Sequence, residues 1–467
     1  MTIPQSIALD TSRKELYLLA KKELFLLVAR AFADGGALVH DDRFGALAAR
    51  LAVADEPWLR RLIRWMARHD ATRRLRLAVI AELAHARGKG TRQFVGQSLL
   101  RADEPGELLA FWLRRFGRSL PAPVKRGVAD AAVRLYDELA LATYDGPGAA
   151  MRFADVLAHT HPAPAGTAQA AVFAHAINRR RGTVSAIPES LPVSRARRAL
   201  YWVPAERRPR LMEQPSAAAT LAAARMTWPA VERWLLGTMT APAWSAVLPS
   251  MSYRDKLARL ADFDRLGVAA PGLEEELAEP ASILGSGVTP LDVVAAMRAV
   301  PASRWSRALR QAAELSLANV PALPGRTLVL VDRSDLMAGP AWPGARLSRA
   351  DAAAVFGAAL ALRAASVTLM DSGTALAVRP RESLMDVLGR FGPGGGPAGA
   401  LPARLDGYDR VVILTSPQTA PETADAITTP GQEHVITQVS SGWFAAIPHV
   451  EAARTGSWPF AQVTSAL

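Results

Sequence analysis

The side chains best placed to do chemistry in this chain are cationic, and their spacing points to holding a polyanion. Arg60, Arg64 and Arg68 recur at i, i+4 and i+8, so a helix would set them on one face. Arg73, Arg74 and Arg76 follow soon after. Lys125 and Arg126 come just behind Pro121 and Pro123, where a helix start is expected. A helix N-terminus already favours phosphate, and two cations add to that. The runs Arg179, Arg180, Arg181 and Arg195, Arg197, Arg198 suit non-specific phosphate contact. His161 precedes a proline on an expected turn, where an imidazole can meet phosphate or stack on a base. Each also has a plainer use as a solvated side chain or an ion-pair partner.

Catalytic chemistry finds little support. The chain has no cysteine, which removes thiolate nucleophiles, disulfides and cysteine zinc sites together. Its eight histidines are scattered, with no HExxH. Gly392–Gly396 is glycine-rich but lacks the following Lys-Ser/Thr of a phosphate-binding loop. No nucleophile elbow or Ser/His/Asp arrangement is visible, so an enzyme is not expected.

Charge is distributed unevenly over the 467 residues, whose formal net charge is +12. Residues 1–320 carry 44 Lys and Arg against 31 Asp and Glu, whereas 321–467 carry 11 against 12. A basic part joined to a neutral one suits a nucleic-acid partner for the basic part. No apolar run reaches the roughly 18 residues of a membrane-spanning helix, so no membrane partner is expected. Residues 1–17 lack an apolar signal core, and a cytoplasmic protein is the expectation.

The elements that must position these cations are helices up to about residue 320. In 57–70, Leu59, Leu62, Ile63 and Met66 form one apolar stripe at helical spacing. Further helices are expected at 74–86, 94–101, 105–117, 124–142 and 150–158, joined by short Gly, Pro or Asp turns. That succession predicts stacked helix pairs of the HEAT-like kind. Trp58, Trp65, Trp112, Trp202, Trp228, Trp234 and Trp244 fall mostly on apolar faces and are expected in the core. From 321 the pattern changes to strands at 327–331, 367–370, 375–378, 411–415 and 435–439, with helices at 348–363 and 383–391. This predicts an α/β, Rossmann-like domain over 321–467, its ligands beyond the strands' carboxyl ends.

Four segments in order resemble the Ro/TROVE family: 101–145, 153–164, 243–268 and LPGRTLVLVDRSDLM at 323–337. The last is similar to the first strand and metal loop of the family's von Willebrand factor A-type domain. The resemblance implies a multidomain protein: an all-α helical-repeat ring (TROVE) over 1–320, then the A-type domain over 321–467. It implies binding of small structured noncoding RNA (Y RNA-like) on the rim, RNA ends in a central hole, and work with an exoribonuclease in RNA quality control. His161 matches the family's histidine in the Y RNA-binding loop, preceded here by only Arg152. Arg76 matches a recurrent arginine, for which RNA contact and a structural role are equally open, and Arg254 and Arg259 stand on the helix that in the family faces the ring interior; pairing with Asp255 and Asp262 is their plainer use.

The resemblance also implies a degenerate metal site. Asp332 and Ser334 stand at ligand positions, but Leu336 replaces a hydroxyl, Pro397 a threonine and Ser416 an aspartate. Weak Mg²⁺ at most is expected, since Mg²⁺ needs a full shell of hard oxygens. Asp335 could be a displaced ligand, and Asp332 could instead cap its strand. The expected function is thus a monomeric, Ro-type RNA-binding ribonucleoprotein component. The alternative is a protein-interaction scaffold that has lost RNA binding.

Overall fold

The computed structural model describes residues 5–34, 42–88, 90–183, 186–301, 304–392, 407–420 and 432–460. The chain divides into two compact units, Met1–Thr238 with Ala452–Leu467, and Met239–Glu451.

The first unit is helical. The stripe expected over 57–70 becomes the helix Glu56–Met66, which buries Trp58, Leu59, Leu62, Ile63, Trp65 and Met66. Asp55 caps it by accepting from Trp58 N at 3.0 Å, and Pro57 sits in the first turn, where its missing N–H costs nothing. The next helix, Arg73–Arg87, stops at Gly88, whose φ of 59° other residues avoid. The single helix expected over 124–142 is two, Ala122–Leu135 and Glu138–Tyr144. Asp137 starts the second by accepting from Ala140 N at 2.7 Å. Neighbouring helices pack in pairs: Asp42–Ala54 on Arg73–Arg87, and Arg92–Ser98 on Ala122–Leu135. The second pair meets at Gly127, where a Cβ would lie 2.6 Å from the Arg92 carbonyl oxygen. The core of this unit continues into the C-terminal segment. Phe460 is fully buried and meets Phe25 at 5.6 Å and Trp58 at 5.6 Å between ring centroids.

The second unit joins the helices after residue 239 to a five-stranded sheet. The strands are β1 (Leu323–Val331), β2 (Ala364–Asp371), β3 (Thr374–Leu376), β4 (Arg410–Leu414) and β5 (Gln432–Ile436). Their order is β3-β2-β1-β4-β5, with only the β2–β3 pair antiparallel. Thr327 to Val331 in β1 and all of β4 are buried, as a continuous apolar run in a parallel sheet requires. The helix Arg349–Arg363 lies close on β1 because Gly357 has no Cβ; one there would stand 2.7 Å from Val331 Cγ2. Composition changes near 321, yet the compact units part at 238/239. The last helices are tied to the sheet's elements: Glu314 accepts from Leu384 N at 2.9 Å, and Arg363 donates to the Val320 carbonyl at 2.9 Å. No single described helix is long and apolar enough to cross a membrane.

At the amino end of the sheet, Arg410 donates to Thr327 Oγ1 at 3.0 Å and to Glu451 Oε2 at 2.7 Å, while His434 Nε2 lies 3.3 Å from Glu451 Oε1. Burial alone would raise the Glu451 carboxyl, but the hydrogen bonds with His434 and Arg410 outweigh it and hold it below the ordinary glutamate value. A lowered carboxylate stabilises the fold above its unfolded pKa of about 4.5, and the contribution fades as pH falls through the folded value. Glu451→Gln is therefore expected to lose stability at neutral pH. Its urea midpoint should approach that of the wild type only below pH 4.5.

Candidate nucleic-acid interface and carboxyl-edge loop

The basic excess belongs to the first unit alone. It carries 37 Lys and Arg against 22 Asp and Glu, a formal charge of +15, while the second carries 18 against 21, a charge of −3. Within the first unit the cations divide into two kinds. Some are exposed and have no carboxylate partner among the described residues; Arg68, Arg74, Arg118, Arg126, Arg207 and Arg210 are of this kind. Others are turned inward and spent on the fold.

Arg76 is of the second kind, which corrects the expectation that it contacts RNA. It is 3% exposed, and its guanidinium is taken up by the Glu104 carboxylate and the Ser98 carbonyl. Three turns of helix order its neighbours differently. Arg60 pairs with Glu56 at 2.6 Å and lies over the Phe94 ring at 4.3 Å, Arg64 is half-buried, and Arg68 is exposed. Only the end of the expected arginine face is open.

Lys125 and Arg126 stand in the first turns of Ala122–Leu135. No side chain caps that helix, and neither cation has a described partner, so both remain available to an anion. Arg152, by contrast, supports a loop. Asp145, 2% exposed, accepts from Phe153 N at 2.6 Å and from Arg152 at 3.2 Å, and also holds Arg179. This fixes the start of the helix Phe153–Thr160, whose other end presents His161. His161 is exposed at a left-handed φ of 51°, aiming its ring outward from a rigid turn. Arg180 pairs with Asp155 at 3.0 Å, while Arg181 is exposed.

Arg254 and Arg259 lie in the second unit, among carboxylates. Arg254 is 3.5 Å from Asp292 and donates to the Gly287 carbonyl at 3.1 Å; Arg259 is 3.4 Å from Asp262. The nearby Lys256 is buried and held by Glu276 at 2.8 Å. These helices set their cations beside acids rather than in a positive field.

The tryptophans carry a second correction. Trp58, Trp65, Trp112, Trp234 and Trp244 are buried, but Trp202 is 72% exposed and Tyr201 beside it 55%. Trp202 is the last residue of the helix Pro192–Trp202 and lies at the surface, a fact no local periodicity could supply.

At the carboxyl end of β1, Asp332 is 8% exposed and both its oxygens are engaged. Oδ1 accepts from Ser334 N and Oδ2 from Thr415 Oγ1, each at 2.8 Å. Thr415 and Ser416, both buried just after β4, lie where the sequence places a carboxyl-edge loop, and the pairing of β1 with β4 brings Thr415 to Asp332. Ser416 Oγ turns to Thr419 Oγ1 at 2.9 Å. Ser334 Oγ is buried without a hydrogen-bond partner, Asp335 is exposed and Leu336 is 47% exposed. Pro397 and the rest of its loop lie outside the described residues. One carboxylate already holding two donors is a poor donor set for a divalent cation, which prefers several hard, charged oxygens. Among the described residues no group of three His, Cys, Asp or Glu side chains gathers anywhere. Beside this loop is a cavity of about 430 Å³ lined by Met337, Trp342, Arg349, Pro417 and Gln438 among others.

No protein-family model matches the chain, and no curated protein does. The crystal structure of the Deinococcus radiodurans Ro (RSR) protein matches it with a TM-score of 0.66 at 19% sequence identity, over 87% of this chain and 93% of that one. A likeness so complete in length and so low in identity is one of backbone architecture: helical pairs followed by a mixed sheet, in the same order. The chain has the fold of the Ro (RSR) protein of Deinococcus radiodurans.

Proposed function

We propose that this chain is an RNA-binding protein of the Ro type, whose first unit holds structured noncoding RNA (Y RNA-like) through its phosphates. The observation that carries this is the segregation of charge, +15 on one unit and −3 on the other. Lys125, Arg126 and His161 are the residues we assign to RNA contact, with Arg68 as a further exposed cation and Arg152 positioning the start of the helix that ends at His161. RNA-end binding and an exoribonuclease partner are extensions of the same reading and rest on the fold likeness alone. No catalytic step is assigned, and the Asp332 loop is assigned weak Mg²⁺ binding at most.

The test is binding of a structured RNA by the full chain across a salt series. Replacing Lys125 and Arg126 together by Glu is expected to lower affinity about ten-fold or more. It should also reduce the slope of log affinity against log salt by about 2. Absent or salt-independent binding would instead favour a protein-interaction scaffold, for which the cavity near the Asp332 loop is the supporting feature.

A further inference from the structure

The helix Pro192–Trp202 has two unlike faces. Ser194 and Leu200 point inward and Leu191 is buried just ahead of it. Arg195, Arg198, Ala199 and Trp202 fall at i, i+3, i+4 and i+7, so they share the opposite face. The Arg198 guanidinium lies 5.1 Å from the Trp202 ring centroid, covering one side of an indole that is still 72% exposed. Ala199 between them is too small to obstruct approach.

The support beneath Trp202 is rigid. Its helix end is held by Trp234, whose Nε1 donates to the Leu200 carbonyl at 3.0 Å. Arg208 donates to the Val203 carbonyl at 3.0 Å and the Trp234 carbonyl at 2.6 Å. Arg197 reaches the Ala224 and Arg225 carbonyls at 2.8 and 3.0 Å, which draws the exposed Arg225 up to this helix. Arg207 and Arg210 follow Trp202 closely in the chain and are exposed. Residues 179–233 hold 11 arginines against four glutamates. An indole set among cations, on a fixed base, is the arrangement by which single-stranded nucleic acid is held: base on ring, phosphates on arginine. Tyr201, 55% exposed, adjoins the ring as a second aromatic, and the charged groups of this stretch are mainly cationic, which favours a polyanion over an apolar partner.

We infer that Trp202 is a stacking platform for an unpaired RNA base, with Arg195 and Arg198 taking the flanking phosphates. The inference rests on the RNA-binding reading and adds to it a second, single-strand-preferring contact on a different helix from Lys125 and Arg126. Stacking is sequence-tolerant, so the ligand class is any unstacked base in a loop, bulge or free end.

The experiment compares a short labelled oligouridylate with a blunt RNA duplex, both by fluorescence anisotropy on the full chain. Trp202→Ala is expected to weaken oligouridylate binding roughly ten- to a hundred-fold and leave duplex binding unchanged. Trp202→Phe should recover most of the loss, because a smaller ring still stacks. Urea unfolding of both variants should match the wild type, since the ring is exposed. Oligouridylate affinity unchanged in Trp202→Ala, with duplex still bound, overturns the platform and leaves the patch to a protein partner. Failure of the wild type to bind either RNA overturns the RNA-binding reading itself, and the two failures are thus separable.

Discussion

Replacing Arg76 by Met is expected to destabilise the first unit by about 3–5 kcal/mol while leaving RNA affinity per folded molecule unchanged. The cost has two sources. Glu104, 1% exposed, loses the cation that balances its buried charge and keeps only the Leu100 amide, at 2.6 Å. The Ser98 carbonyl, at the end of the helix Arg92–Ser98, loses its donor. Urea unfolding gives the energy. A second variant, Arg76→Met with Glu104→Leu, should recover much of it, because a buried pair replaced whole by apolar groups costs little. Arg126→Met is the matching exposed control and should lie within about 0.5 kcal/mol of the wild type. If Arg76→Met matched Arg126→Met in stability and lowered RNA affinity instead, the assignment of Arg76 to the fold would be wrong.

The contrast between Arg76 and Arg126 shows where sequence stops being informative. Short helices end often, and each end leaves carbonyls without partners. This chain meets many of them with arginine. Arg134 donates to the Gly96 and Leu99 carbonyls, Arg197 to those of Ala224 and Arg225, Arg208 to those of Val203 and Trp234, and Arg304 to that of Val268. A planar guanidinium with five donors suits the task. In the sequence such an arginine looks the same as one waiting for phosphate. Net charge was therefore legible, and so was its confinement to the N-terminal part, but the division of labour among the arginines was not.

Elements were legible where one face alone decides them. The stripe at Leu59, Leu62, Ile63 and Met66 gave its helix, and the run through Val329 and Val331 gave β1. Boundaries set by one capping side chain were less so: Asp137 breaks a periodic run that would otherwise continue to residue 142. Contacts between distant segments were legible only coarsely. The sequence puts the loops after Asp332 and Thr415 at one edge of the sheet but not the hydrogen bond between them, and it does not tell the exposed Trp202 from the buried Trp234, each the last residue of its helix.

The C-terminal segment is the largest of these non-local effects, and Phe460→Ala should show it by costing about 3–5 kcal/mol, the range for a buried aromatic truncated to alanine. Phe460 is fully buried, although it follows the sheet-bearing unit in sequence, and it closes an aromatic cluster in the first unit. Phe25 meets Trp65 at 5.3 Å and Phe460 at 5.6 Å; Trp58 meets Trp458 at 5.4 Å and Phe460 at 5.6 Å. Alanine would leave a cavity that three large rings cannot fill, since their own rotamers are fixed by the helices Gln5–Asp34 and Glu56–Met66. A chain cut after residue 238 loses Trp458 and Phe460 together. It should bind a hydrophobic dye and unfold without a sharp transition, whereas adding residues 452–460 through a flexible linker should restore the transition. Trp202→Ala supplies the control within the same unit, an aromatic truncation at an exposed site with little stability cost expected. An unfolding midpoint for Phe460→Ala equal to that of Trp202→Ala would mean that the segment 452–460 is an appendage to the first unit and not part of its core.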